Sequence, residues 1–149
     1  MSLQPKHGLT VDEYLEIERN ADFKSEYFNG EMFAMAGASE QHIAIVSNLT
    51  YLLVGQLKGR PCMTYSTDMK VKIAPTGLYT YPDVIVVCGE LQFGDERREL
   101  LTNPTIIIEV LSKSTEAYDR GEKFDHYRTL ASLSDYLPES CPVRIEPPL

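Results

Sequence analysis

Two acidic side chains sit where a chain rarely puts them. Asp83 opens the run "DVIVVC" and Glu109 interrupts "TIIIEVLS", both otherwise aliphatic or β-branched. A carboxylate is among the last groups to be buried without compensation. Side chains alternate along a strand, so Glu109 shares a face with Ile107 and Leu111, and Asp83 with Tyr81 and Ile85. If the two strands are neighbours in suitable register, the carboxylates meet. They then repel unless one takes a proton or a cation stands between them. A divalent ion with oxygen ligands is one such cation. A buried ion pair of Glu109 with Lys123 or Lys72 is the competing solution, and Asp83 after Pro82 also fits an ordinary strand-entry residue.

The elements that must hold these residues can be read from pattern. Thr10 with Glu13 forms a capping box opening a short helix through "VDEYLEIE". Asn29-Gly30 between alternating runs marks a hairpin with strands near 25–28 and 31–36. Ser39 as N-cap, Gly59 as stop, and Ile43, Val46, Leu49, Leu53 and Leu57 at helical spacing predict a long helix over about 40–58. "CMTYSTDMKVKIA" reads as one strand or a pair, "YTYPDVIVVCG" as the next and "TIIIEVLS" as a third. Their near-continuous apolar character implies cover on both faces. The charged segment "GELQFGDERRELLTN" reads as a loop or short helix. "STEAYDRGEKFDHYRTLASL" predicts a second long helix with Ala117, Phe124, Tyr127 and Ala131 inward, and Gly121 within it costs about 1 kcal/mol relative to Ala. Close packing of that glycine on the sheet would account for it.

These elements predict a mixed α/β (α+β) fold in one domain over 1–137, followed by an irregular, proline-rich tail over 138–149. The 149 residues suffice for a substantial core. A net charge of −8 argues against a broad basic surface for nucleic acid, but not against an enzyme that meets phosphate through a carboxylate-held metal. No apolar run reaches membrane-span length and no signal pattern opens the chain, so a cytoplasmic protein without membrane contact is expected. Three cysteines without CxxC or Cys/His clustering argue against a disulfide framework or zinc site, and Cys88 reads as a small buried side chain. Neither a GxSxG elbow nor a P-loop nor a dinucleotide glycine pattern is present.

"YPDVIVV" followed by "PTIIIEVLS" resembles the PD-(D/E)XK nuclease signature. More closely, "SEYFNGEMFAMAGAS", "EQH", "STDMKV", "NPTIIIEVLSKST" and "AYDRGEKFDHYRTL" resemble, in order, the Uma-two family of restriction-endonuclease-like proteins. That resemblance implies a restriction-endonuclease-like core of helix, three strands and helix, preceded by a helix and a β-hairpin. It implies a Mg²⁺- or Mn²⁺-dependent deoxyribonuclease, an endonuclease hydrolysing DNA phosphodiester bonds. Asp83 and Glu109 would be metal ligands and catalytic residues, with Glu26, or Asp68, as a further oxygen ligand. The signature's lysine position is occupied here by Leu111, and the resemblance gives its role to Lys123, with Lys113 the alternative. A homodimer is compatible with it, since nucleases of this type often cut two strands as a pair. The family chain continues past "SDY" into further strands, whereas this one runs into "LPESCPVRIEPPL". The final core strand is therefore expected to be missing or altered, as a truncation or frameshift would leave it.

The plainer readings stand beside these. Lys123 lies four residues after Asp119 and could be a surface helix pair. His42 could cap or pack at a helix start, Tyr127 could be core, and Glu26 could pair across the hairpin. The alternative function is a catalytically silent nuclease-fold domain used in protein association or DNA binding.

Overall fold

The computed structural model describes residues 8–140. Helix α1 (Val11–Asn20) opens with the Thr10/Glu13 capping box, both hydrogen bonds formed. Strands β1 (Ser25–Phe28) and β2 (Glu31–Ala34) make a hairpin in which Asn29 and Gly30 both take positive φ, as a type I′ turn demands. Helix α2 (Glu40–Gln56) follows, its first turn capped by the Ser39 hydroxyl. The predicted strand or pair at 62–74 is a pair, β3 (Cys62–Ser66) and β4 (Lys70–Ile73). The next predicted strand is divided into β5 (Leu78–Thr80) and β6 (Val84–Cys88). The charged segment contributes a short strand, β7 (Leu100–Leu101), and is followed by β8 (Ile106–Leu111).

Five strands form one sheet in the order β2-β1-β5-β4-β7. The other sheet runs β3-β6-β8-β9, where β9 is Asp135–Ser140. Val71, Ile73, Leu78 and Leu101 of the first sheet share a core with Ile85, Val87 and Ile107 of the second. Tyr14 and Leu15 of α1 cover the first sheet, and Ile45 and Val46 of α2 cover the second over Val84, Ile108 and Val110. Strands β6 and β8 are thus covered on both faces, which is why they are continuous in apolar residues.

Several expectations are corrected. The final core strand is present: β9 pairs in parallel with β8 along its whole length, from Ile106↔Asp135 to Leu111↔Ser140. Its sequence, "DYLPES", hides it because Pro138 has no N–H to donate. As an edge strand, β9 tolerates that loss. The irregular tail predicted from 138 therefore gives way to strand through Ser140, and residues 141–149 lie outside the described residues.

The second long helix is instead two short ones, α3 (Glu116–Arg120) and α4 (Glu122–Tyr127), broken at Gly121, whose φ −102° and ψ −96° leave the helical region. Gly121 is exposed, so close packing on the sheet is not its reason. A Cβ there would come within 3.0 Å of the Ala117 carbonyl. Of the predicted inward residues only Tyr127 is buried, and the buried positions beside it are Asp119 and Lys123. In α2 the buried face centres on Ile45 and Val46, while Ile43 is exposed.

Cys62 and Cys88 are joined as a disulfide. They are exact cross-strand partners in the β3–β6 register, with Cα atoms 4.0 Å apart, and Cys88 is exposed rather than buried. Antiparallel pairing brings together two cysteines that no sequence spacing links.

Candidate active site

The register of β6 and β8 pairs Val84 with Ile108 and Ile85 with Ile107. One residue further the same register sets Asp83 opposite Glu109. Their faces therefore coincide, as directly opposed residues of an antiparallel pair must. Asp83 Oδ2 accepts the Val110 N–H at 2.7 Å and lies 3.2 Å from His42 Nε2, which the first turn of α2 presents. Glu109 is 3% exposed, and its Oε1 accepts the Tyr127 hydroxyl at 2.7 Å and stands 3.2 Å from Lys123 Nζ.

Lys123 is 4% exposed and gathers further acids. Asp119 Oδ1 lies 3.8 Å and Glu26 Oε2 3.9 Å from its ammonium. Glu26 faces Phe33 across the hairpin and so has no charge partner there; its carboxylate turns instead to Lys123. The i,i+4 pairing of Asp119 with Lys123 does form, but in the interior rather than on the surface. Lys113 is exposed, Lys72 lies over the Tyr79 ring, and Asp68 pairs with Lys24 at the surface. Leu111 is buried apolar packing.

β9 braces the helices that carry this cluster. Tyr136 donates its hydroxyl to the Asp119 carbonyl at 2.6 Å, and its ring packs on Phe124 and Tyr127.

The pocket is buried and holds more carboxylate than ammonium, and both set its protonation. Burial pushes Glu109 up to about 8, Asp83 and Asp119 push the same way, and Lys123 and Tyr127 oppose. Burial works against the Lys123 ammonium, but Glu109, Glu26 and Asp119 outweigh it and hold its pKa above the ordinary lysine value. The leading causes differ, burial for Glu109 and the surrounding carboxylates for Lys123, although neighbouring carboxylates favour the proton in both. Asp119 is raised by burial, and His42 is raised chiefly by its hydrogen bond to Asp83.

The donor set can be tested against a hard divalent cation. Glu26 Oε2 is buried without a hydrogen-bond partner, its 3.9 Å from Lys123 being too long for one. The hydrogen bonds from Val110 and Tyr127 fall on Asp83 Oδ2 and Glu109 Oε1, one oxygen of each carboxylate. No three His, Cys, Asp or Glu side chains of the described residues converge into an ion cage. Mg²⁺ suits such a place, since it is commonly held by one or two carboxylates and keeps several waters. Oxygen donors of unspent capacity in a pocket of excess negative charge fit that ion.

The family model described as "Putative restriction endonuclease", Uma2, matches residues 11–138. The chain belongs to the Uma2 family. Two relatives from Synechocystis sp. (strain ATCC 27184 / PCC 6803 / Kazusa) are each 41% identical to it. The uncharacterized protein sll1609 matches over 87% of this chain and 73% of its own length, and slr1290 over 89% and 69%. The crystal structure of a "putative nuclease belonging to DUF820" from Anabaena variabilis aligns with a TM-score of 0.67 at 22% identity, covering 85% of this chain and 74% of that one. The fold is thus that of a nuclease-like structure, restriction-endonuclease-like in its core as the resemblance implied. Within this Uma2 chain the geometry joins Asp83, Glu109, Lys123 and Glu26. It adds His42, expected as a capping or packing ring, and Asp119, expected as a surface partner of Lys123. The signal for Asp119 was its i,i+4 spacing from Lys123. For His42 it was the family-like segment "EQH", which ends on that ring in the first turn of α2.

Among the described residues no helix is long and apolar enough to cross a membrane.

Proposed function

We propose that this protein is a metal-dependent endonuclease hydrolysing DNA phosphodiester bonds, with Asp83 and Glu109 holding Mg²⁺ or Mn²⁺. The observation that carries the reading is the opposition of Asp83 and Glu109 across β6 and β8, with a buried lysine on Glu109, in a chain of the Uma2 family. A bound divalent ion would supply Lewis acidity, lowering the pKa of a water and offsetting charge on the phosphate.

The chain's own groups have distinct tasks. Asp83 offers Oδ1 while Oδ2 is held by the Val110 N–H and His42. Glu109 offers Oε2 while Oε1 is held by Tyr127 and Lys123. Glu26, with one buried oxygen unpartnered, is placed to accept from a metal-held water. Lys123, kept protonated by three carboxylates, orients the attacking water or stabilises charge on the phosphate. The acidic chain meets a polyanion through this site rather than through a basic face. A homodimer would bring two such sites to the two strands of a duplex.

One observation favours the silent-domain reading: Glu109 Oε1 is already satisfied by Lys123 and Tyr127 without any ion. Calorimetric titration of Mn²⁺ into the protein, with Glu109→Ala as control and a plasmid-cleavage screen, separates the two. Binding abolished by the substitution, with Mn²⁺-dependent cleavage, supports the nuclease. A folded protein that binds no Mn²⁺ supports the silent domain.

A further inference from the structure

The Asp83 carboxylate is approached at one oxygen from two elements, by a hydrogen bond and by a close imidazole contact. Val110 N–H reaches Oδ2 at 2.7 Å from the neighbouring strand, and His42 Nε2 reaches the same atom at 3.2 Å from α2. An aspartate carboxylate turns over a broad, nearly two-fold torsion, and a single donor leaves that torsion soft. A backbone donor and an imidazole nitrogen from separate elements restrict both the plane of the group and which oxygen stays open.

His42 is built into the fold at a rigid point. The Ser39 hydroxyl caps its backbone N–H at 3.1 Å, so the side chain is not needed for capping. Ile45 and Val46, one turn on, seat α2 on Val84, Ile108 and Val110, the strands that carry Asp83 and Glu109. The ring is not an ordinary core histidine either, because His42 Nδ1 is buried with no hydrogen-bond partner. Leaving that atom unsatisfied costs free energy, and the Nε2 contact with Asp83 contributes in the opposite direction.

We propose that His42 is a positioning residue: its Nε2–H holds Asp83 Oδ2 so that Oδ1 remains free to bind the metal. This rests on the nuclease reading of the Asp83/Glu109 pair. It gives the "EQH" segment at the start of α2 a part in the site beside the strands and the helix of Lys123. Outer hydrogen bonds of this kind commonly account for about 10–100-fold in metal affinity.

The test is Mn²⁺ calorimetry on wild-type protein and on His42→Ala, His42→Asn and His42→Gln, with melting temperatures recorded alongside. A glutamine amide nitrogen can reach the place of Nε2, whereas an asparagine amide reaches only the place of Nδ1. Alanine and asparagine are expected to weaken Mn²⁺ binding by about 10–100-fold, and glutamine to restore it to within about threefold. Cleavage at saturating Mn²⁺ should recover in all three, because the defect lies in metal affinity rather than turnover. Wild-type affinity in His42→Ala, or a glutamine variant as weak as alanine, overturns the proposal. So does a uniform fall in melting temperature that leaves affinity unchanged.

Asp83→Asn and Glu109→Gln run in parallel distinguish the two levels. If both lose Mn²⁺ while His42→Ala keeps it, only the role of His42 fails. If both keep Mn²⁺, the carboxylate reading itself fails, and the role of His42 with it.

Discussion

Lys123 Nζ stands 3.2 Å from Glu109 Oε1, although a strand end, a turn and a broken helix separate the two in the chain. The signature position for a lysine, two residues past the glutamate, holds the buried Leu111. The ammonium therefore enters the same pocket from α4 instead. A lysine's long flexible stem makes such migration feasible, because what the site needs is a charge at a point rather than a particular backbone origin.

Lys123→Ala should be costly at high pH. It leaves Glu109, Glu26 and Asp119 buried without their cation, and breaking a buried pair in this way costs about 3–5 kcal/mol. At pH 6 Glu109 can take a proton and the cost should shrink. Lys113→Ala, at an exposed position, should stay within about 0.5 kcal/mol of wild type. Urea denaturation at pH 6 and pH 9 reads all of these, and equal losses for the two lysines would remove the case for Lys123.

Metal-free protein should lose stability as pH rises through the range in which Glu109 titrates. Its folded pKa is raised from 4.5 to about 8. Between those values the folded state binds more protons than the unfolded state, so stability falls with rising pH. The contribution of this group is fully present below pH 4.5 and fully lost above about 8. Glu109→Gln should flatten that slope and be the more stable protein at pH 9. A wild-type curve that rises across this window once Glu109→Gln is subtracted would contradict the assignment.

Tyr127→Phe isolates the phenol. Its ring is fully buried, and its hydroxyl donates to Glu109 Oε1 at 2.7 Å. Removing one hydrogen bond to a charged group should cost about 1.5–3 kcal/mol at pH 9. The loss should be smaller at pH 6, where Glu109 is protonated. A pH-independent loss would place the effect in ring packing instead.

The disulfide gives a prediction remote from the site. Cys62 and Cys88 close a loop of sequence separation 26 at the edge of the second sheet. Loop-closure entropy alone puts the stabilisation at about 3–4 kcal/mol. Dithiothreitol should lower the melting temperature, and Cys62→Ser/Cys88→Ser should match the reduced protein and respond no further. A melting temperature indifferent to dithiothreitol would mean the bond adds nothing to the β3–β6 pairing.

What was legible in the sequence were the features written locally. The Thr10/Glu13 box, the Asn29-Gly30 turn and the Ser39 cap each specify backbone within a few residues, and each forms as expected. The acid in each apolar run was legible too, because a misplaced charge stands out against aliphatic neighbours. What was not legible depends on partners distant in the chain. The proline of β9 disguised a strand whose pairing is dictated by β8. The Cys62–Cys88 bond needed the β3–β6 register. In α3 and α4 the helical stripe misled because polar residues, Asp119 and Lys123, take the inward positions. A functional cluster inverts the pattern that apolar periodicity relies on.

Mn²⁺ should offset the pH trend of the metal-free protein. An ion that binds the folded state alone stabilises it by about 2.7 kcal/mol at one hundred times its Kd. Binding at Asp83 and Glu109 requires Glu109 ionised, so the ion must expel the proton that Glu109 carries below about pH 8. The stabilisation by a fixed Mn²⁺ concentration should therefore be larger at pH 8.5 than at pH 6.5, while the metal-free protein weakens over the same range. Thermal denaturation with and without Mn²⁺ at the two pH values measures the difference. Glu109→Gln should abolish both the gain and its pH dependence. An undiminished gain in that variant would show that Mn²⁺ binds elsewhere on this acidic chain.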